Sequence, residues 1–241
     1  MTTMAADLEQ FRLPALSVRR SSRTAWGTEY DVLDGEDVLG RIYRVTDHPA
    51  SPWFWAIPAR LAGRKAFGTA DSLDEVTAAF KAEYERLGQL GQERLRADTD
   101  EIRRRRGTRE KAEISPSIAI PAIKAAVDEH REAVRDLWAR LLAAAMDPDR
   151  KNLVRLAFVE VIKKMDPLDV EVLELGQREF SGSISGGTLD ELAKRLDVSR
   201  DEIDASLSNL VKLDLTARSY TSGADAVITP LGRELLRAVS D

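Results

Sequence analysis

The stretch Leu137-Trp-Ala-Arg-Leu-Leu-Ala-Ala-Ala-Met-Asp-Pro148, running on to Met165-Asp-Pro-Leu-Asp169, decides how the chain is read. Through it Ile123, Val127, His130, Val134, Leu137, Leu141 and Ala145 recur at spacings of three and four, which puts one apolar stripe on a helix. Val154, Phe158, Val161, Ile162 and Met165 repeat the pattern. Between the two stripes stands Asp147-Pro148, and a residue before proline is pushed out of α conformation. The spacing therefore predicts two amphipathic helices forming a hairpin over 116–166. Ser115-Pro116 and Ile120-Pro121 mark its entry and Asp166-Pro167 its exit. The aspartates beside these breaks read as helix caps.

Downstream, residues 167–241 have the element order of a winged helix. A helix over Leu168–Phe180 precedes a Gly/Ser-rich turn at 181–187. Thr188 with Glu191, and Ser199 with Glu202, are capping boxes that open the next two helices. Strands at Leu215–Tyr220 and Ala226–Thr229 around Ser222-Gly223 form the wing, and Pro230 suits the first turn of a last helix.

Upstream, Tyr30-x-Val32 and Val38-x-Gly40-x-Ile42 flank Asp34-Gly35 as a hairpin, and Trp53–Ile57 reads as a third strand. Ser72 with Glu75 opens a helix through Val76, Phe80 and Leu87. The expected fold is thus α+β and mostly helical. Residues 24–90 form a small three-stranded sheet plus helix, 91–115 a charged helical connector, 116–166 the hairpin and 167–241 the winged-helix-like domain.

Composition narrows the function. The chain has 241 residues, 43% hydrophobic and 32% charged, and it lacks cysteine, so disulfides and thiolate metal sites are excluded. The longest apolar run, Leu141–Met146, is far short of the ~18 residues that span a bilayer. The N-terminus lacks the features of a signal peptide. A cytoplasmic protein without membrane association is expected. Net charge is −5, yet residues 91–125 carry 9 Lys/Arg against 6 Asp/Glu, centred on Arg103-Arg104-Arg105-Arg106.

Five features invite a functional reading. The arginine run could hold an anionic partner, extended by Arg109 and Lys111, or be a solvated linker paired with Asp98, Asp100, Glu101 and Glu110. Trp53 and Trp55 share one strand face and could stack bases, although a small sheet needs such residues for its core. Trp138 stands beside Leu137 and Leu141 and reads as packing. The candidate recognition helix carries Arg200, Ser206, Ser208, Asn209 and Lys212, with Arg218 on the wing, but also Asp201, Glu202 and Asp204. Phosphate would be repelled by that anionic end, so nucleic acid is a disfavoured partner and protein docking or self-association the expected one. Catalysis has little to build on: the two histidines, His48 and His130, lie in different modules, and the glycines at 182–187 lack the lysine of a phosphate loop. No cofactor, metal or enzymatic activity is expected.

The wording of the opening stretch is more specific than its periodicity. Leu-Trp-Ala-x-Leu-Leu-Ala-x-Ala-Met-Asp-Pro, then Phe158-Val-Glu-Val-Ile162, then Pro167-Leu-Asp169, resembles the bacterial abortive-infection alpha family over about residues 116–241. That resemblance implies a role in phage defence. The residues themselves imply a non-catalytic interaction module. The alternative is a winged-helix regulator that binds duplex DNA as a homodimer.

Overall fold

The computed structural model describes residues 16–21, 28–34, 36–45, 51–58, 66–108, 110–127, 129–218 and 226–240. The turns at Gly35 and Ser222-Gly223, together with His48 and Arg109, lie outside the described residues. The fold is α+β and mostly helical, in two compact units, residues 1–93 and 94–241.

In the first unit the sheet has five strands where three were expected: β1 (Ser17–Arg20), β2 (Thr28–Asp34), β3 (Asp37–Arg44), β4 (Trp53–Ile57) and β5 (Ala66–Ala70). They pair antiparallel in chain order. The two unforeseen strands are the edges, where short segments such as Ala66-Phe-Gly-Thr-Ala70 carry too few alternating apolar residues to be recognised. The β2–β3 register shifts beside Leu33. Helix α1 (Leu73–Arg105) opens with the expected capping box: Ser72 N–H donates to Glu75 Oε2 and Glu75 N–H to Ser72 Oγ, both at 3.2 Å. Its first turns lay Val76, Phe80 and Tyr84 on Ile42, Trp53, Trp55 and Ile57. Gly40 permits this approach, since a Cβ there would stand 2.6 Å from the Phe80 ring.

Helix α1 continues through the first part of the charged helical connector to Arg105, with Leu95, Thr99, Ile102 and Arg103 buried on one face. It stops at Gly107, whose φ of +71° is open to glycine at little cost.

The hairpin region differs from expectation. The first limb is two helices, α2 (Pro116–Val127) and α3 (Glu132–Ala145). A 3₁₀ turn (Lys151–Leu153) and a seven-residue α4 (Leu156–Ile162) follow. Pro121, read as marking the entry to the hairpin, lies inside α2, and the carbonyl its ring leaves unpaired belongs to Ser117, which is exposed to water. The break falls at Glu129-His130-Arg131, so His130 sits half-buried at a corner and not on an apolar stripe. Arg131 makes that corner. Its Nε and Nη2 donate to Glu129 at 2.9 and 2.8 Å, its backbone N–H to Glu129 Oε1 at 2.9 Å, and its Nη1 to Asp166 at 2.8 Å. Burial pushes the Glu129 carboxyl up, but the hydrogen bonds and charge of Arg131 outweigh it and hold the group below its ordinary value.

Helix α3 is the centre of the second unit. From Leu137 to Met146 every residue except Arg140 is buried, and Trp138, at 1% exposure, is the largest of the fully buried side chains. Four consecutive small or medium side chains, Ala143 to Met146, let neighbouring helices close on it from several directions.

The remaining elements run α5 (Pro167–Phe180), β6 (Ser183–Ile184), α6 (Gly186–Leu196), α7 (Arg200–Lys212), β7 (Thr216–Arg218), β8 (Ala226–Ile228) and α8 (Pro230–Val239). The three strands form an antiparallel sheet in the order β6-β8-β7. The Gly/Ser-rich turn thus contributes a strand, with the left-handed Ser181 (φ 52°) and Gly182 (φ 78°) turning the chain into it. Helix α6 starts two residues before Thr188, with Ser185 as its N-cap, so Thr188 and Glu191 do not form the expected box. Glu191 instead pairs with Arg195 at 2.8 Å.

Two stability tests follow from this packing. A Cβ on Gly232 would meet Leu215 O at 2.3 Å and Ile228 Cγ2 at 2.8 Å, whereas one on Gly187, in the first turn of α6, meets nothing within 4 Å. Gly232→Ala is expected to lose about 2 kcal/mol and Gly187→Ala to lose nothing or gain up to ~1 kcal/mol, read from urea midpoints. Because folded Glu129 binds protons less readily than its unfolded form, its stabilisation is complete above the unfolded value of about 4.3. It is lost as pH falls through the lower folded value. Glu129→Gln is therefore expected to be less stable than wild type at pH 7 and to show a shallower loss of stability below about pH 4, measured by urea unfolding across pH.

Candidate interaction surface

Helix α7 holds four of the residues that sequence singled out for contact, Arg200, Ser206, Asn209 and Lys212. Ser199 caps it, with Glu202 N–H donating to Ser199 Oγ at 3.3 Å and Ser199 N–H to Glu202 Oε2 at 2.8 Å. The bonds from Ser199 hold the Glu202 carboxyl below its ordinary value. Ile203, Leu207 and Leu210 face the core.

The polar residues between them do not all face outward as expected. Ser206 is only 6% exposed, and its Oγ donates to Asp169 Oδ1 at 2.7 Å. Asn209 Nδ2 donates to Asp169 Oδ2 at 2.7 Å and to the Lys164 carbonyl at 3.2 Å. Asp169 itself is 2% exposed and also accepts the Asp166 N–H at 2.8 Å. The Asp166-Pro167 start of α5 places this carboxylate directly against α7, so side chains that seemed free to read bases are committed to the interior. Ser208 Oγ donates to its own helix, at Asp204 O, and accepts from Arg218 at 3.3 Å.

What α7 leaves exposed is mixed in charge. Arg200 is paired with Asp190 at 2.7 Å. Asp201 and Glu202 are exposed at the N-terminal end and Lys212 at the other. Arg218 is exposed on β7.

The arginine run is neither a flat patch nor a solvated linker throughout. Arg103 is 5% exposed, donates to the Glu110 carbonyl at 3.0 Å and approaches Asp100 at 3.5 Å. Arg104 points outward and pairs with Glu101 at 2.7 Å, and Arg105 is exposed. Arg106 reaches across the unit to donate to Val239 O at 3.1 Å and Ser240 O at 2.6 Å. Arg150 joins it on the Ser240 carbonyl. Two guanidiniums at the end of α8 suit the partial negative charge of a helix C-terminus. Burial of Arg103 and the long reach of Arg106 were invisible in the sequence, because their partners are backbone carbonyls.

Between the Gly107-Thr108 turn and the Asp147–Arg150 loop lies an open cleft of about 550 Å³. Asp147, 6% exposed, accepts from Thr108 Oγ1 and from the Asp149 N–H, each at 3.0 Å. The aspartate thus fastens its own turn to the end of α1. Both signs of charge line this cleft, with Arg106 and Arg150 against Glu110 and Asp149. Among the described residues no group of three or more His, Asp or Glu side chains is arranged to hold a metal ion, and no helix is long and apolar enough to cross a membrane.

All three singled-out tryptophans are interior. Trp53 and Trp55 are 8% and 9% exposed in the core of the first unit, Trp53 lying under Arg44 and beside Tyr30. Phe54 takes the opposite sheet face, stacked on Tyr43 at 5.5 Å. Trp138 fills the centre of the second unit. Core packing, not a stacking platform, is their place.

The chain belongs to the abortive infection alpha family, whose profile matches residues 90–235, more than half its length. The match takes in the last turns of α1 as well as the region recognised from the Trp138–Asp169 wording. It associates the chain with abortive-infection-type defence. No curated protein and no solved structure matches the chain at a significant level.

Removing the carboxylate beneath α7 tests its structural role. Asp169→Ala would leave the buried Ser206 hydroxyl without its acceptor and loosen the Asn209 and Asp166 donors, and a loss of about 2 kcal/mol is expected in urea unfolding. Asp169→Asn, which keeps an acceptor but adds a misplaced donor, is expected to lose less.

Proposed function

We propose that the protein is a non-catalytic component of bacterial phage defence that works in the cytoplasm by binding a protein partner or a second copy of itself. Its C-terminal elements, from α5 to α8, have the order of a winged helix and serve here as a docking module. No cofactor enters this reading.

The observation that carries it is the fate of α7. In a DNA-binding winged helix the corresponding helix lays its polar face in the major groove and depends on cations facing phosphate. Here Ser206 and Asn209 are engaged by Asp169, Arg200 is engaged by Asp190, and the leading turn presents Asp201 and Glu202. A face with that charge suits a protein surface better than a duplex.

Two measurements test the proposal. Fluorescence anisotropy with a 30-base-pair duplex at ~150 mM salt is expected to show no saturable binding. Submicromolar binding that weakens with salt and disappears on charge reversal at Arg200, Lys212 and Arg218 would establish the DNA-binding regulator instead. Pull-down from the native host, with and without nuclease, is expected to retain the same protein partners in both arms. Deleting the gene is expected to raise sensitivity to some phages within a broad panel, and an unchanged panel would remove the defence role.

A further inference from the structure

The second unit has another groove, remote in character from the acidic end of α7. It lies between α5 and α8, over Arg140 of α3, and has a volume of about 580 Å³. Arg178 lines it from α5, Arg233 and Arg237 from α8, and Leu236 and Val239 give it an apolar portion. In a chain of net charge −5, this concentration of guanidinium groups stands out.

The charges are not cancelled in place. Arg140 is the neutralised one, with Nη2 at 2.6 Å from Glu174 and Nε at 2.9 Å from Asp136. Arg233 donates to a backbone carbonyl, Ile228 O, which leaves its charge uncompensated by that bond. Arg178 meets only its chain neighbour Glu179 at 3.3 Å, and Arg237 meets Glu234 at 3.9 Å, with both arginines largely exposed. Exposed pairs of this quality contribute at most about 1 kcal/mol, so an incoming anion can replace them.

We infer that this groove binds an acidic segment of a partner protein, with carboxylates on Arg178, Arg233 and Arg237 and one apolar side chain against Leu236. The inference rests on the protein-binding reading above and names the chemistry of the partner. A peptide fits better than a polynucleotide because Glu174, Glu179 and Glu234 stand among the arginines. Spaced carboxylates can avoid them, whereas a continuous phosphate run cannot. The apolar portion likewise asks for a side chain to cover it.

The test uses the full-length protein and a fluorescein-labelled octapeptide of alternating Glu and Asp with two leucines, against its Gln/Asn counterpart. At ~50 mM salt the acidic peptide is expected to bind in the micromolar range and the amide peptide not to bind. The double variant Arg178→Glu/Arg237→Glu, at two exposed positions, is expected to weaken binding at least tenfold. Leu236→Ala is expected to weaken it severalfold with no change in salt dependence, which a purely electrostatic site would not show. Charge reversal at Arg200 and Lys212 is expected to leave binding unchanged. Equal affinity in the double variant, or tighter competition by a single-stranded oligonucleotide or inorganic pyrophosphate than by unlabelled peptide, overturns the groove while leaving the protein-binding reading intact. Failure of that broader reading has a different signature, capture of nucleic acid in place of protein in the nuclease-split pull-down.

Discussion

From Leu137 to Met146 only Arg140 escapes burial, and a helix that is apolar on nearly every side needs partners on nearly every side. Much of the C-terminal unit answers that demand. Helices α2, α4, α5 and α8 and the 3₁₀ turn all pack on α3, and its run of alanines sets how close they come. Trp138 supplies the bulk that those small residues lack. Helix α7 and the small sheet pack chiefly on α5, α6, α8 and one another.

Polar contacts then fix the arrangement that apolar burial leaves loosely specified. Asp169 ties the start of α5 to α7 through Ser206 and Asn209, Arg131 ties the α2–α3 corner to Asp166, and Arg106 holds the end of α8. Each joins segments distant in sequence, and the Asp169 contacts are the costliest to break because the carboxylate and Ser206 are withdrawn from water. The same economy has a functional consequence. Side chains engaged in this way are not available to read a ligand, which moves the free surface of the unit to the exposed ends of α7 and to the arginine groove between α5 and α8.

The family match runs from residue 90 to residue 235, so the five-stranded sheet of the first unit lies outside it. That sheet buries its tryptophans on one face only. Its other face shows Tyr43 stacked on Phe54 and Phe67 at 76% exposure, with Arg41 held by Glu29 at 3.1 Å. Its charges are balanced, unlike those of the arginine groove.

Local patterns alone were enough to predict the α+β class, the β2–β3 hairpin, the strand of Trp53–Ile57, the boxes at Ser72 and Ser199, and the family. The structural features depend on periodicity or on residues close in sequence, and the family on the wording of residues 137–169. Three-dimensional packing alone decided the corner at Arg131, the edge strands, the burial of Ser206 and Arg103, and the meeting of four arginines around one groove. Asp169 lies 37 residues from Ser206 and Asp166 lies 35 from Arg131, while Arg103 is held by the Glu110 carbonyl, 7 residues on, across the turn that follows its helix. A hydrogen bond to a distant backbone carbonyl leaves no mark in either residue's neighbourhood, so a serine or an arginine reads as surface until the chain has folded around it.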